Sequence, residues 1–359
     1  MNAPAARIAR LIRSAGPMSV SDYMALCLFD PEHGYYTTRQ PFGRSGDFIT
    51  APEISQMFGE LVAAWLVDAW RGLGEPRGVI LSEIGPGRGT LMKDMLRAIS
   101  RIAPELAEQA SFHMIEASPR LAAIQQANLK PAGVAIDWHR TFADLPPGPL
   151  LIVGNELFDA IPARQFVRTG QGWRERCITV DEHDGLAFLA GSGGIDTALL
   201  PPEAADAPEG AIFEVAPARS ALIQQIAQRV AEQSGAALFF DYGHLESSLG
   251  DTFQAVMKHR FDDPLANPGE ADLTTHVDFA ALAADVRNAG LIPHLATQGD
   301  FLLALGLLER AGRLGADADE AVRNQLTQAV ERLAGPDQMG NLFKVLAFSS
   351  AALKPPGLG

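Results

Sequence analysis

Short apolar runs alternate with stretches of helical spacing along most of the chain. Continuous apolar runs that are bounded by turn residues predict buried strands, and apolar residues that recur every three or four positions predict helices. The predicted strands cover residues 79–84, 112–116, 134–138, 150–156, 236–243 and 342–348. Predicted helices lie between them, for example at residues 91–99 and 220–231. Strands that alternate with helices predict an α/β fold with a doubly wound parallel sheet and right-handed crossovers.

Other segments lie outside this alternation. Near the N-terminus, one predicted helix ends at Gly16-Pro17 and a second is capped by Ser19. A long apolar helix is predicted over residues 54–70 and extra β structure over residues 173–180. Residues 272–332 have a helical pattern.

These segments suggest a division of the chain into three parts. Residues 1–53 are expected to hold the N-terminal helices and a possible lid. The core is expected at residues 54–260 and 341–353, with a helical insert at residues 261–340 before the last strand.

Composition narrows the class of protein. The 359 residues include 47% hydrophobic and 20% charged residues, which is typical of a globular protein. A formal net charge of −14 argues against a general nucleic-acid binder. The two cysteines, Cys27 and Cys177, are isolated and no histidines have metal-ligand spacing, so no metal site is expected and a reducing, cytoplasmic compartment fits. No apolar run reaches the roughly 18 residues of a membrane span, and nothing indicates the oligomeric state.

A glycine-rich turn follows the first predicted strand. It reads Glu83-Ile84-Gly85-Pro86-Gly87-Arg88-Gly89-Thr90, and a helical pattern begins at its end. Glycines allow a positive φ and a close approach of a ligand, and the first N–H groups of a helix point into such a turn. No lysine follows Gly89, which excludes a P-loop, and the spacing differs from the dinucleotide pattern. We expect a nucleotide-type site here, and an ordinary glycine-rich turn is the alternative.

Polar residues also end two other predicted strands. Glu116 ends the second strand, where an acid can accept both hydroxyls of a ribose. Asn155 and Glu156 end the fourth strand, and Asp159 follows shortly after. The carboxyl ends of parallel strands meet at one edge of a sheet, so these residues are expected to converge on the glycine turn. Trp138, at the end of the third predicted strand, could flank an adenine or lie at the surface.

Several stretches of this chain resemble a known family. The acid-x-Gly-x-Gly-x-Gly pattern is similar to the first motif of class I S-adenosylmethionine-dependent methyltransferases. The more specific resemblance is to the MidA-like, mitochondrial complex I assembly-factor methyltransferases, which have many bacterial relatives. The matching stretches are DPEHGYY at 30–36, GDFITAPEIS at 46–55, EIGPGRGTLM at 83–92, GNELFDA at 154–160, GDTFQA at 250–255, QGDFL at 298–302 and MGNLFKV at 339–345.

The resemblance implies a class I methyltransferase fold, Rossmann-like, with S-adenosyl-L-methionine as cofactor. Glu83 and the backbone of Gly85, Gly87 and Gly89 would then hold the methionine part of the cofactor, and Glu116 its ribose. The family's eukaryotic members are described as mitochondrial protein-arginine methyltransferases that modify a complex I subunit. A protein substrate, possibly a complex I subunit, is therefore the expected partner.

The catalytic residues suggested by this resemblance are Glu156, Asp159 and Asn155. A carboxylate can hold a guanidinium bidentately and accept its proton, and an amide carbonyl can accept from it. The alternatives are that Asp159 caps a helix and that Glu156 only supports a loop.

Residues of the N-terminal segment are second-rank candidates, and the overall function has competing interpretations. Asp47 and Glu53 could close over the cofactor, and Tyr35 and Tyr36 could stack on a guanidinium or pack into the core. A small-molecule or nucleic-acid methyltransferase on the same fold is one alternative, because fold does not determine the substrate. A non-catalytic assembly factor that binds the cofactor is another.

Overall fold

The computed structural model describes residues 2–38, 50–258 and 260–351. Its strands are β1 Met18–Ser19, β2 Ile80–Ile84, β3 Ser111–Ile115, β4 Ile136–His139, β5 Leu150–Asn155, β6 Arg164–Thr169, β7 Gly172–Val180, β8 Leu186–Gly194, β9 Ile212–Val215, β10 Gly235–His244, β11 Gln254–Met257, β12 Arg260–Asp262, β13 Asp272–Thr274, β14 Val277–Asp278, β15 His294–Thr297 and β16 Phe343–Ser349.

The helices occur between most of these strands. They are α1 Ala3–Ala15, α2 Val20–Phe29, α3 Tyr35–Thr38, α4 Ala51–Ile54, α5 Gln56–Gly72, α6 Thr90–Ile102, α7 Pro104–Gln109, α8 Pro119–Leu129, α9 Pro217–Gln233, α10 Phe279–Asn288, α11 Gln298–Ala304, α12 Leu307–Gly315, α13 Glu320–Ala334 and α14 Met339–Leu342. Short 3-10 turns occur at Lys130–Ala132, Phe142–Asp144, Thr197–Leu199 and Pro202–Ala205.

The chain divides into two compact units. The small-sheet unit comprises the described parts of residues 1–48, 158–221 and 246–277. The large-sheet unit comprises those of residues 49–157, 222–245 and 278–359.

The large-sheet unit contains a twisted sheet with strand order β15-β16-β10-β5-β2-β3-β4. Strands β10, β5, β2, β3 and β4 are parallel, and β16 runs antiparallel between β10 and β15. The central strands are buried along almost their whole length, since helices cover a parallel sheet on its faces. The core of this unit includes Phe58 and Trp70 of α5, Met95 of α6 and Phe240 of β10.

The small-sheet unit contains mostly antiparallel strands. Its larger sheet has the order β1-β7-β6-β9, with β8 on the other side of β7, and a smaller sheet has the order β12-β11-β13. Helices α1 and α2 pack into a core that includes Ile8, Tyr23 and Phe253.

The predicted α/β fold is confirmed, as are the predicted strands of the large sheet apart from their exact ends. The predicted β structure at residues 173–180 corresponds to β7, and the helix at residues 220–231 to α9. Ser55 interrupts the helix predicted over residues 54–70, because its backbone is extended (φ −158°) and its side chain caps α5 at Met57 N.

The helical prediction for residues 272–332 is wrong in part. This segment contains the short strands β13, β14 and β15 as well as helices. The units also differ from the predicted three parts, because β1 of the N-terminal segment pairs with β7, and β15 pairs with β16. A lid at residues 1–53 stays a prediction, and residues 39–49 lie outside the described part of the chain.

Gly235 offers a test of how closely β10 and β5 approach. A Cβ atom at Gly235 would lie 2.2 Å from the Leu150 carbonyl oxygen, which belongs to the backbone and cannot rotate away. Gly235→Ala should therefore lower the free energy of unfolding by about 1–3 kcal/mol, the usual cost of overpacking. Urea denaturation of the purified protein measures the loss.

The matched control is Gly312→Ala on α12. Nothing lies within 4 Å of a Cβ atom there, so this variant should be as stable as the original chain or up to about 1 kcal/mol more stable. Equal unfolding midpoints for the two variants would contradict the register of β10 against β5.

Candidate cofactor and catalytic site

The glycine turn joins β2 to α6. Gly85, Gly87 and Gly89 all have positive φ, of 67°, 52° and 78°, which explains why glycine occupies these positions. A Cβ atom would lie 3.0 Å from Leu157 Cδ1 at Gly85 and 3.2 Å from Leu129 Cδ1 at Gly89. The turn is therefore held between the end of β5 on one side and α8 on the other. Helix α6 begins directly after the turn, so the N–H groups of its first residues lie beside the turn.

Glu83 lies within β2 and is 3% exposed. Its Oε2 accepts a hydrogen bond of 2.9 Å from Met92 N, in the first turn of α6. Burial raises the pKa of Glu83 from 4.5 to about 8, the Met92 hydrogen bond acts in the opposite direction, and the charge of Glu116 raises the pKa further. The contact seen here is with the helix, so the contact of Glu83 with the methionine part of a cofactor stays a prediction.

Glu116 directly follows β3. Its Oε1 accepts from Ser118 N at 2.8 Å and its Oε2 from Gln125 Nε2 at 3.0 Å. Burial raises the pKa of Glu116 above its ordinary 4.5, and these two hydrogen bonds partly oppose the effect. Each carboxylate oxygen can accept a second hydrogen bond, so the acid can still bind ribose hydroxyls.

Two polar side chains of α8 support the turn, and neither was expected from the sequence. Gln125 Nε2 donates to Gly87 O at 2.9 Å, and Asn128 Nδ2 donates to Arg88 O at 3.0 Å. Gln125 Oε1 accepts from Trp138 Nε1 at 3.0 Å. The sequence shows only that these positions are polar, and a polar residue type alone does not identify its hydrogen-bond partners.

The end of β5 carries the predicted catalytic pair. Asn155 Nδ2 donates to Glu156 Oε1 at 3.0 Å, so the two side chains are adjacent. Among the described residues, none donates a hydrogen bond to Asn155 Oδ1, although this atom is buried. Glu156 N donates to Phe240 O at 2.9 Å, and Leu157 N donates to the fully buried Asp241 Oδ2 at 3.1 Å. The backbone at the end of β5 is thus fixed by β10.

The other candidates lie elsewhere or outside the described residues. Asp159 belongs to the small-sheet unit, where it is 5% exposed and its carbonyl accepts from Arg219 Nη2 at 3.1 Å. Tyr35 is fully buried, so stacking of its ring on a substrate guanidinium is wrong, and the core alternative holds. Glu53 pairs with Arg88 at 3.4 Å. Asp47 is outside the described residues.

Glu83 allows a test through the pH dependence of stability. In the unfolded chain it loses its proton near 4.5, and in the folded chain near 8, so unfolding releases a proton between these values. Raising the pH through this window therefore favours unfolding. Glu83→Gln keeps an oxygen for Met92 N and removes the effect. Its unfolding midpoint in urea should exceed that of the original chain by a margin that widens as the pH rises from about 5 to about 8.

The control is Glu105→Gln, because Glu105 of α7 is exposed. The difference between its unfolding midpoint and that of the original chain should stay constant with pH. A margin for Glu83→Gln that shrinks with rising pH would contradict a buried, protonated Glu83.

The residues at this edge of the sheet fit S-adenosylmethionine. Gly87 leaves the turn without a side chain, each Glu116 oxygen can accept a further hydrogen bond, and Asn155 Oδ1 is an acceptor that no described residue uses. The cofactor carries an ammonium and a sulfonium, which suit the carboxylates of Glu83 and Glu156.

Among the described residues, no helix is long and apolar enough to cross a membrane.

Comparisons with known proteins agree with this chemistry. A family model described as S-adenosyl-L-methionine-dependent methyltransferase matches residues 61–297. The chain is 36% identical over 364 residues to the human protein named protein arginine methyltransferase NDUFAF7, mitochondrial, covering 94% of this chain and 81% of the relative. It is 35% identical over 360 residues to the Xenopus tropicalis protein of the same name, covering 93% and 82%.

A solved structure is similar over nearly the whole chain. It is a Burkholderia thailandensis protein crystallised with S-adenosyl-homocysteine, with 30% identity, a TM-score of 0.82, and coverage of 97% of this chain and 92% of that one. S-adenosyl-homocysteine is what remains of the cofactor after its methyl group has been transferred. The cofactor of this protein is S-adenosylmethionine, and the chain belongs to this family of S-adenosyl-L-methionine-dependent methyltransferases.

Proposed function

We propose that this protein transfers a methyl group to an arginine side chain of another protein, and that Glu156 and Asn155 hold the acceptor. The observation that carries the proposal is the adjacent amide and carboxylate at the end of β5, next to the glycine turn. The printed names of the relatives support it, since the human relative is a protein arginine methyltransferase.

The acceptor must be aligned before transfer. S-adenosylmethionine supplies a methyl group on a positively charged sulfur, and the acceptor nitrogen has to lie in line with the carbon and the sulfur. A guanidinium is planar and presents its N–H donors in a fork that matches a carboxylate. Glu156 would accept from two of these donors, and Asn155 Oδ1 from a third.

Methyl transfer also leaves one surplus proton on the acceptor nitrogen. As the new N–C bond forms, the C–S bond breaks and sulfur keeps the electron pair. The surplus proton on nitrogen passes to the Glu156 carboxylate and from there to water. Asp159 is the second candidate for this role.

The backbone at Glu156 supports a functional role. Its φ of 53° is uncommon for a residue other than glycine and costs about 1–3 kcal/mol, as strained residues at functional sites often do. The hydrogen bond from Glu156 N to Phe240 O stabilises this conformation.

We extend the proposal to the acceptor protein and the compartment through the motifs that this chain shares with its family. A subunit of respiratory complex I is the first acceptor to test, and the cytoplasm is the proposed location of this protein. Radiolabel transfer from S-adenosylmethionine into the proteome of a deletion strain would reveal the acceptor as a labelled band.

Replacement of Glu156 separates transfer from cofactor binding. Glu156→Gln keeps nearly the same shape but cannot neutralise a guanidinium or accept its proton. Methyl transfer should fall about 10²- to 10⁴-fold, the usual effect of losing a general base. The affinity for S-adenosyl-homocysteine, measured by calorimetry, should stay within a few-fold of the original.

Glu75→Gln is the matched control, because Glu75 also has a positive φ (56°) but is exposed beyond the end of α5. This variant should keep the original rate of methyl transfer and the original affinity for S-adenosyl-homocysteine. Methyl transfer by Glu156→Gln at nearly the original rate would move the base to Asp159. A parallel loss of cofactor binding would instead make Glu156 part of the cofactor site.

Glu116 is the corresponding test of cofactor binding. If Glu116 accepts the ribose hydroxyls, Glu116→Ala should weaken binding of S-adenosyl-homocysteine by about 1.5–3 kcal/mol, the range for hydrogen bonds to a charged group. Calorimetry measures the affinity, and Glu108→Ala on the exposed side of α7 serves as the control. An unchanged affinity would assign the ribose to other residues.

A further inference from the structure

The carboxamide of Gln125 connects three parts of the cofactor site. Gln125 is completely buried in α8. Its Nε2 lies 2.9 Å from Gly87 O and 3.0 Å from Glu116 Oε2, and its Oε1 lies 3.0 Å from Trp138 Nε1. One side chain therefore contacts the glycine turn, the acid that follows β3 and the indole at the end of β4.

The chemistry of its partners allows only one orientation of this amide. A backbone carbonyl only accepts hydrogen bonds, so the group facing Gly87 O must be the NH₂ group. An indole N–H only donates, so the group facing Trp138 must be the carbonyl. Both NH₂ protons and the carbonyl are thereby used, and an amide with the opposite orientation would lose all three hydrogen bonds.

We propose that Gln125 is a positioning residue of the cofactor site, which holds the glycine turn and the Glu116 carboxylate in the arrangement that binds the cofactor. This inference rests on the proposed roles of Gly87 and Glu116. It adds a residue that acts through the positions of Gly87 and Glu116.

The position of the donor explains why an amide is needed. Glu116 is largely buried, and burial alone favours its protonated form, which accepts hydrogen bonds less well. A neutral N–H donor stabilises the carboxylate without adding a charge that would repel a cationic cofactor. The same amide fixes the Gly87 carbonyl, so the turn and the acid keep a constant separation.

Gln125→Glu is the sharpest test, because it keeps the shape and the acceptor for Trp138 but removes the donor. An ionised carboxylate at this position would face both Gly87 O and Glu116. The ionisable group that it would face is Glu116, whose charge in turn acts on Glu83. The affinity for S-adenosyl-homocysteine should fall at least about tenfold at about pH 8, and less at about pH 6, where the introduced carboxyl group can still donate while it is protonated.

Each affinity is divided by that of the original chain at the same pH, which removes the contribution of Glu83. Gln126→Glu provides the matched control, because the next residue of α8 is exposed and gains the same charge. It should bind the ligand as the original chain does at both pH values. Binding by Gln125→Glu within about twofold of the original at both pH values would overturn the proposal.

A second variant keeps the test decisive if Gln125→Glu does not fold. Gln125→Leu is measured alone and together with Glu116→Ala. If Gln125 acts largely through Glu116, the leucine should weaken binding markedly in the original chain and much less in the Glu116→Ala background. Equal fold-losses in the two backgrounds would overturn the proposal.

These measurements use S-adenosyl-homocysteine and no methyl acceptor. A chain that needs Gln125 for binding but methylates no arginine would contradict the proposed function and leave this inference intact. If the protein methylates arginine and its Gln125 variants bind S-adenosyl-homocysteine as well as the original chain does, the proposed function stands and this inference is overturned.

Discussion

The parallel register of β10, β5, β2 and β3 is the constraint on which the site depends. Ile84 lies beside Gly154 and Ile115, and Phe240 lies beside Asn155. The central strands are buried almost throughout, so a shift of one residue would turn every side chain to the opposite face of the sheet. Because β5, β2 and β3 end at nearly the same level, the residues that follow them come together at one edge of the sheet.

Close packing at this edge then fixes the direction in which the chain leaves β5. A Cβ atom at Gly154 would lie 2.9 Å from Phe239 Cδ1, so the Phe239 ring occupies the space that a side chain at this position would need. Just beyond the strand, the buried Asp241 accepts from Leu157 N, while Phe240 O accepts from Glu156 N. Two residues of β10 therefore fix the strained backbone of Glu156. Phe240 binds the N–H of Glu156 itself, and Asp241 binds the N–H of the next residue. A buried structural acid thus positions a candidate catalytic acid.

The sequence predicted the positions of the large-sheet strands well, apart from their exact ends, because buried parallel strands appear as continuous apolar runs that are followed by an acid or amide. It did not predict Gln125, whose partners Gly87 and Trp138 lie 38 and 13 residues away and become neighbours only through the crossovers. The strands β13 to β15 have two to four residues each, too few to show a period. The pairing of β1 with β7 joins residues far apart in sequence, so local patterns could not reveal the small-sheet unit.

The acids at the large-sheet edge favour the binding of a cation. Glu83, Glu116 and Glu156 lie in or directly after neighbouring strands. Burial disfavours the ionised forms of Glu83 and Glu116, and the charge of Glu116 adds to this effect at Glu83. A cation that binds near them restores ionisation, so its binding gains from charges that are otherwise costly. S-adenosylmethionine has a sulfonium charge that is lost when the methyl group leaves. Under the proposed roles of these acids, the loss of this charge removes part of their attraction for the cofactor once the methyl group has left.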